Sequence, residues 1–475
     1  MVQTHTEARP ATTPPHTHTQ QDVGHEKEPL ALESSRKSYG SGGSQGGEEG
    51  VSQGITTYPS RMWMLFSFSL LCWVHNIEWI TWGPVSESMN AAFPGWGPST
   101  VALITNWGTI IYILFFIPII WAAQRYGLRA SVLASAAVLT AGAGLRCITS
   151  TTPAFTILCH VCGMAVGLSS PIMLAAPTLI ASDWFPVHER TTAMAIMVGA
   201  HELGGIASFL EPLIVRLPGP DVTTADIRHD VMRLTYIAAG LAAVSLVALV
   251  VYFPSKPPRP PSLSSSEERL RFIPGLKALV RNKTFMLLLV CYGVFVGPPV
   301  MWMTVMDYSL LPLGFHQNKA MWVGVMAVVM AGTLPVVVGR LNDTLHRYTK
   351  TMLITLMLLS AGCFFWFLLL SYGVLPVTDW QVYVSTVGGL TFSYSTMPLF
   401  IELSINLAYP VPELLVTSVL IAADNIVGAV FLFLFNIPDE QHLWVTYTLT
   451  LCCSLTAVPL AAVTFPSTRT DIDIG

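Results

Sequence analysis

The sequence predicts an all-α membrane protein with twelve transmembrane helices arranged as two bundles of six. Three observations lead to this prediction. Apolar residues make up 52% of the 475 residues and charged residues only 11%, whereas soluble domains carry about 25% charged residues. Twelve stretches are long and apolar enough to cross a bilayer, which takes roughly 20 residues in a helix. A polar, proline-rich segment divides these stretches into two sets of six.

The predicted spans follow one another with short connections. In the first half they are Met62–Pro84, Val101–Ala123, Ser131–Ile148, Phe155–Ile180, Ala193–Leu213 and Leu234–Phe253. In the second half they are Phe285–Ser309, Ala320–Val338, Met352–Leu370, Val382–Asn406, Leu414–Phe435 and Leu443–Phe465. We therefore expect the two bundles to occupy residues 59–253 and 284–465.

Three polar segments flank the predicted bundles. Residues 1–58 have the composition of a disordered tail, and residues 466–475 form a second, short tail. Residues 254–283 form a linker, with a short amphipathic helix predicted at Leu270–Val280. If all three segments lie on the cytosolic side, they and the loops on the same side together hold 19 of the 24 Lys and Arg residues. This distribution follows the positive-inside rule and predicts that both termini are cytosolic.

Several functional classes are excluded by composition and motifs. The net charge of -4 offers no basic surface for nucleic acid. No nucleophile–base pair or phosphate-binding loop is present, so we do not expect an enzyme. Cys159 and Cys162 flank His160, but the second half of a zinc site is missing, and we expect two small residues in a packed helix. No metal or cofactor is therefore expected.

A short basic turn recurs at the same position in each half. Arg125, Gly127 and Arg129 follow the second predicted span, and Arg340 and Asp343 follow the eighth. Paired turns of this kind are typical of the major facilitator architecture, in which two six-helix bundles rock about a site at the membrane midplane. We predict that these five residues belong to the gating loops.

Acidic residues outnumber basic ones inside the spans, which favours a cationic solute, a coupled proton, or both. Glu202 lies twelve residues past Arg190, which places it roughly 18 Å into the membrane. Asp424 reaches a similar depth. We predict that Glu202 and Asp424 couple transport to protons, that His201 shares the proton of Glu202, and that Glu78 contributes nearer the far leaflet.

Two further acids, Asp307 and Glu402, lie near predicted helix ends. At such positions a charged side chain reaches the membrane surface at little cost. We expect both to be interfacial anchors.

Aromatic side chains would form the other part of a cavity for an organic cation or ring. The candidates are Trp79 and Trp82 on the first span and Tyr292 and Trp302 on the seventh.

Several segments together resemble solute carrier family 49, the feline leukaemia virus subgroup C receptor-related transporters of the major facilitator superfamily. The resemblance covers roughly residues 60–465, and its most specific parts are the Gly-Leu-Arg-Cys and Tyr-Pro-Val-Pro-Glu segments. The matching segments are Thr81–Pro84, Arg125–Arg129, Gly144–Cys147, Ala175–Pro177, Trp184–Pro186, Glu189–Arg190, Leu203–Gly205 and Tyr409–Glu413. The chain is most similar to the lysosomal branch of the family, that of the disrupted in renal carcinoma protein 2.

This resemblance implies site residues as well as a fold. In the choline-transporting branch a tryptophan and amide side chains enclose the ammonium group, and the matching positions here are Trp79, Glu202 and Asn425. An acid at 202 in place of the amide favours proton coupling. The lysosomal branch implies proton-driven export of pyridoxine (vitamin B6) from an acidic compartment. We therefore expect a lysosomal rather than a plasma-membrane protein, acting as a monomer on a small-molecule substrate and protons.

Two other functional classes remain open from the sequence. One is a facilitative transporter of choline, ethanolamine or haem that needs no proton gradient. The other is a membrane receptor that binds its ligand without moving it. Dependence of flux on acid would separate the proton-coupled transporter from the facilitative transporter, and any flux would exclude the receptor.

Overall fold

The computed structural model describes residues 58–257, 272–344, 348–408, 411, 413–437 and 443–462. Within these ranges the chain is helical and forms no β-strand. The helices of the first half are α1 (Ser60–Ile80), α2 (Ser86–Ala92), α3 (Pro98–Tyr126), α4 (Leu128–Leu145), α5 (Thr152–Trp184), α6 (Val187–Phe209) and α7 (Thr224–Val251). Those that follow are α8 (Phe272–Arg281), α9 (Lys283–Met303), α10 (Asp307–Leu310), α11 (Gln317–Thr344), α12 (Thr349–Ser371), α13 (Asp379–Ala408), α14 (Glu413–Phe433) and α15 (Leu443–Ala462).

The all-helical membrane fold is confirmed. Ten helices of the described chain are long and apolar enough to cross a membrane. The remaining two long helices, α1 and α13, are more polar. Helix α1 buries His75, Asn76 and Glu78, and α13 carries hydroxyl side chains at 391 and 393–396. Their status as spans, and with it the count of twelve, stays a prediction.

The seventh predicted span is shorter than expected. It was expected to run to Ser309, but α9 ends at Met303 and the chain turns into the short helix α10. The predicted amphipathic helix of the linker is present as α8. The tails at 1–57 and 463–475, and linker residues 258–271, lie outside the described residues.

Local sequence signals explain several helix ends. The Asn282 side chain accepts a hydrogen bond from the Phe285 amide, 3.1 Å away, and so caps α9. Thr223 and Asp226 form a capping box at the start of α7. Gly127 has a φ of 87°, and this left-handed conformation lets α3 turn into α4 across a single residue.

Most helix packing lies within each half. Helix α1 packs on α6 and α7, and α5 packs on α3 and α4; in the second half α9 packs on α14, and α13 on α11 and α12. Glycine allows some of these close contacts, because a Cβ atom at Gly204 would lie 2.4 Å from the Trp73 carbonyl oxygen. The halves meet where α3 packs on α14 and α6 on α11.

One end of the molecule is closed by contacts between the two halves. We call this the distal end and define it by the connections 81–97 and 304–316; the sequence predicts that it faces away from the cytosol. The Ser88 hydroxyl donates a hydrogen bond to Oε1 of Gln317, 3.0 Å away, and the Gln317 amide donates to Glu87 at 3.1 Å. Gly83 lies against the Thr304 carbonyl. The structure is therefore closed on the distal side.

Candidate functional site

Asp424 occupies a buried position in α14, facing α9. Its residue is 7% exposed, and the Asn425 side-chain amide donates to its Oδ1 at 3.2 Å. The Tyr292 hydroxyl of α9 lies within hydrogen-bonding reach of the same carboxylate. No Lys or Arg side chain of the described residues forms an ion pair with Asp424. The carboxylate therefore needs a proton or a cationic ligand for neutralisation.

Three buried tyrosines interact electrostatically with this carboxylate, and we call the group formed by Tyr112, Tyr292, Tyr394 and Asp424 the central cluster. All three tyrosines lie within electrostatic reach of Asp424. Tyr112 comes from α3 in the first half, and the other two come from α9 and α13 in the second. The cluster thus spans the boundary between the halves, where a substrate of an alternating-access protein binds. Its aromatic faces and carboxylate suit an organic cation or a basic ring.

Glu202 approaches this cluster from the first half. Its side chain is 30% exposed, and its Oε1 lies 3.5 Å from Nδ1 of His201. It also lies within electrostatic reach of Tyr394. The His201 ring packs near the His75 ring of α1, with centroids 5.6 Å apart. Glu202, Tyr394 and Asp424 therefore form a sequence of polar groups that leads from one half to the other.

Trp79 lies at the edge of a small cavity in the first half. A Cβ atom at Gly108 would approach the Trp79 ring to 2.8 Å, so α3 packs directly on this ring. The His75 ring lies 6.0 Å away, centroid to centroid. The cavity is also lined by Glu78, Trp82 and Arg146. Trp79 therefore has α3 packed on part of its ring and the cavity beside another part.

The two other predicted tryptophans belong to separate aromatic clusters. Trp82 packs edge-on against Trp96 and Phe155. Trp302 donates a hydrogen bond to Ser309, 3.1 Å away, and packs against Phe364 of α12. The structure thus brings Tyr292 and Asn425 to Asp424, whereas the contacts of Trp82 and Trp302 are made elsewhere.

Glu78 forms a buried ion pair with Arg146, at the end of α4. Both side chains are excluded from solvent, with 0% and 1% of their surfaces exposed. The Arg146 guanidinium also lies 5.4 Å from the centre of the Trp82 ring. Any role of Glu78 in proton coupling would therefore act through this ion pair.

The predicted gating turns lie at the other end of the bundle. The Arg125 guanidinium stacks over Trp121 at 5.4 Å, and Arg129 and Arg340 are exposed. The side chain of Asp343 lies outside the described part of the chain.

The two expected interfacial anchors are placed differently by the structure. Asp307 is only 8% exposed, within the distal contact. Glu402 accepts a hydrogen bond from Asn342 of α11. These contacts join elements of the protein, and neither acid is a simple surface anchor. Among the described residues no group of His, Cys, Asp and Glu has the geometry of a metal site.

Comparisons with known proteins agree with this architecture. A model of the Major Facilitator Superfamily matches residues 62–430. The solute carrier family 49 member 4 homolog of Xenopus laevis is 31% identical over 410 residues, which cover 83% of this chain and 89% of the frog protein. The human choline/ethanolamine transporter FLVCR2 is 26% identical over 80% of this chain and 72% of its own length.

The fold is also that of a solved transporter. The xylose transporter XylE of E. coli, in a partially occluded inward-open conformation, aligns with a TM-score of 0.65 at 15% identity, covering 87% of this chain and 99% of that one. At that identity the likeness concerns the fold alone. Together, the family model and the frog relative show that the chain belongs to the major facilitator superfamily and, within it, to solute carrier family 49.

Proposed function

We propose that this chain exports pyridoxine, or a closely related small base, from an acidic compartment by proton-coupled alternating access. Its family makes it a membrane transporter of the major facilitator type. The observation that carries the finer proposal is the central cluster, in which a buried carboxylate interacts with three tyrosines from both halves and forms no ion pair with Lys or Arg in the described part of the chain.

The chemistry of the cluster matches a hydroxylated pyridine ring. A protonated ring nitrogen would pair with Asp424, and the ring faces would pack against tyrosines. Asn425 Oδ1 is buried and accepts no hydrogen bond from the described residues, so it offers an acceptor for a substrate hydroxyl. A site that holds such unpartnered polar groups discriminates strongly for a ligand that completes them.

Proton coupling in this proposal uses two carboxylates in different surroundings. Asp424 is buried, so it holds a proton whenever no cationic substrate neutralises it. Glu202 is partly exposed beside His201, so it can exchange a proton with whichever side is open. Protonation of Glu202 and pairing of Asp424 with the protonated substrate, both supplied from an acidic lumen, would precede the change to the state that is closed on the distal side. We place the protein in the lysosomal membrane with both termini cytosolic, acting as a monomer.

A second candidate is facilitative transport of choline or ethanolamine. An aromatic enclosure with a carboxylate also suits a quaternary ammonium group, and a human relative is named as a choline/ethanolamine transporter. In that case Asp424 would pair with the ammonium group, and flux would not depend on the proton gradient.

Uptake of labelled pyridoxine and of labelled choline, by cells that display the chain at their surface, separates the two candidates. We expect saturable pyridoxine uptake that rises in an acidic bath and collapses with a protonophore. Asp424→Asn should abolish it. Asp379→Asn is the matched control, because Asp379 lies at the surface in an exposed ion pair with Lys319. Choline uptake indifferent to bath pH, without pyridoxine uptake, would favour the second candidate.

A further inference from the structure

A second buried group of charges lies in the first half, apart from the central cluster. It comprises Glu78 of α1, Arg146 at the end of α4, and Glu211 in the short helical turn that follows α6, and we call it the buried triad. The residues are 5%, 1% and 3% exposed. Glu211 accepts a hydrogen bond from the Thr81 hydroxyl, 3.2 Å away, and interacts electrostatically with both Glu78 and Arg146.

The triad contains two carboxyl groups and one guanidinium. Glu78 is the direct ion-pair partner of Arg146, which leaves Glu211 without a cation of its own among the described residues. If both acids were ionised, one negative charge would be buried without compensation, which proteins avoid by neutralising the group. The triad is neutral when one proton is bound.

The neighbouring helices do not supply the missing positive charge. Helix α5 contributes the thiols of Cys159 and Cys162, and Cys162 lies 3.7 Å from Glu78. On α7, Asp230 is held by Arg216 at 2.6 Å, and Arg228 and Arg233 donate hydrogen bonds to the carbonyl oxygens of Ala92 and Ile214. Helix α11 contributes the uncharged Gln317, whose amide lies 3.5 Å from the Val215 carbonyl.

The open hydrogen-bonding positions of the triad are consistent with a proton on Glu211. Glu211 Oε2 is buried and has no partner among the described residues, and the same holds for Glu78 Oε1 and for Nε and Nη1 of Arg146. Glu78 and Arg146 also line the small cavity described above. The triad therefore offers a buried oxygen that can carry a proton, and its other two members line a space that can admit water when the protein opens.

We propose that Glu211 is a third proton-binding residue of this transporter, distinct from Glu202 and Asp424. An O–H bond forms at Oε2 with a proton from the distal compartment, and the triad changes from one net negative charge to none. Thr81, whose hydroxyl donates a hydrogen bond to Glu211, lies two residues before Gly83. At Gly83 the two halves meet at the distal end. Closure of that end buries the triad, so proton binding at Glu211 favours closure. The proposal rests on proton coupling as the function of the protein.

The experiment measures protonation directly and uses no substrate. The full-length chain is purified into lipid nanodiscs, and its tryptophan fluorescence is followed between pH 4 and pH 9. Trp82 reports on the triad because its ring lies beside the Arg146 guanidinium. Trp82→Phe identifies the part of the signal that comes from this residue. Glu211→Gln keeps the acceptor for Thr81 and removes the titrating group, and Glu202→Gln is the matched control.

We expect a one-proton fluorescence step that is lost in Trp82→Phe and in Glu211→Gln but retained in Glu202→Gln. Glu78→Gln should also remove the step, because one carboxylate then remains for one guanidinium and no proton is needed. Glu78→Gln alone tests the proposal if Glu211→Gln does not fold. A Trp82-dependent step that persists in Glu211→Gln, or in Glu78→Gln, would overturn the proposal, as would the absence of any such step in the wild type. Failure of pyridoxine transport would leave this result untouched, so the two proposals fail separately.

Discussion

Replacing Gly83 with alanine should prevent the distal end from closing fully. Gly83 follows α1, and its φ is not in the left-handed region, so alanine does not strain the local backbone. A Cβ atom at this position would lie 2.0 Å from the carbonyl oxygen of Thr304 and 2.9 Å from its carbonyl carbon. Real Cβ atoms do not approach backbone within 3.0 Å. The two halves must therefore separate by about 1 Å at this point.

The size of the effect follows from the cost of overpacking. Forcing an extra methyl group into a packed contact typically costs about 1–3 kcal/mol. Only the state that is closed on the distal side bears this cost, because the contact between Gly83 and Thr304 joins the two halves. A difference of that size changes the ratio of open to closed molecules by about 5- to 150-fold.

Labelling of a cysteine at position 88 would measure this ratio. Ser88 is fully buried, and its hydroxyl donates a hydrogen bond to Gln317 across the distal contact. Ser88→Cys therefore reacts with a membrane-impermeant maleimide only when that end opens. Gly83→Ala in this background should raise the labelling rate about 5- to 150-fold. Gly97→Ala is the matched control, because in the described part of the chain no atom beyond its two sequence neighbours lies within 4 Å of its Cβ position. An unchanged rate in Gly83→Ala would refute the closed contact between these halves.

Four further predictions concern the charged and aromatic groups. Glu202→Gln should flatten the pH profile of transport more than it weakens substrate binding, since the shape is kept and the titrating group is lost; an unaltered profile would remove Glu202 from coupling. Trp79→Ala should abolish substrate binding measured with labelled pyridoxine, and retained affinity would mean that Trp79 only packs. Arg146→Met should destabilise the protein by about 3–5 kcal/mol by leaving a buried charge unpaired, and Glu78→Leu in the same chain should restore most of the thermal stability; no rescue would contradict the ion-pair account. Burial raises the pKa of Asp307, outside the spans, from 3.8 to about 8, so the closed distal end binds a proton that the open end releases. Labelling of Ser88→Cys should therefore rise with pH between about 4 and 8. Asp307→Asn should reduce this dependence to the part that Glu211 supplies, and an unreduced dependence would remove Asp307 from it.

The helices were predictable because membrane spans follow a simple physical rule. A run of apolar residues long enough to cross the bilayer must be helical to satisfy its backbone, so hydropathy located ten of the long helices. The end of α9 was not predictable in this way. Val305 and Met306 continue the apolar sequence of the helix, and only the turn into α10 at the distal contact shows where the helix stops.

The charged residues of the site could be predicted from the sequence, whereas two of its aromatic residues could not. A carboxylate inside a span is costly, so the sequence alone marks Asp424 and Glu202 as groups with a role or a partner. Tyr112 and Tyr394 carry no comparable mark, because tyrosine is common in membrane helices and only the packing of α3 and α13 brings them to Asp424. The Arg146 partner of Glu78 likewise depends on tertiary contact, since 68 residues separate the two.

The central claim is that solute and proton cross the membrane together. The direct measurement uses the purified chain in liposomes that contain a pH-sensitive dye, with unlabelled pyridoxine added on one side and no imposed gradient. The account predicts that pyridoxine entry acidifies the lumen in wild type and fails to do so in Asp424→Asn. Pyridoxine entry with no change in luminal pH would contradict proton coupling, and it would identify the protein as a facilitative transporter.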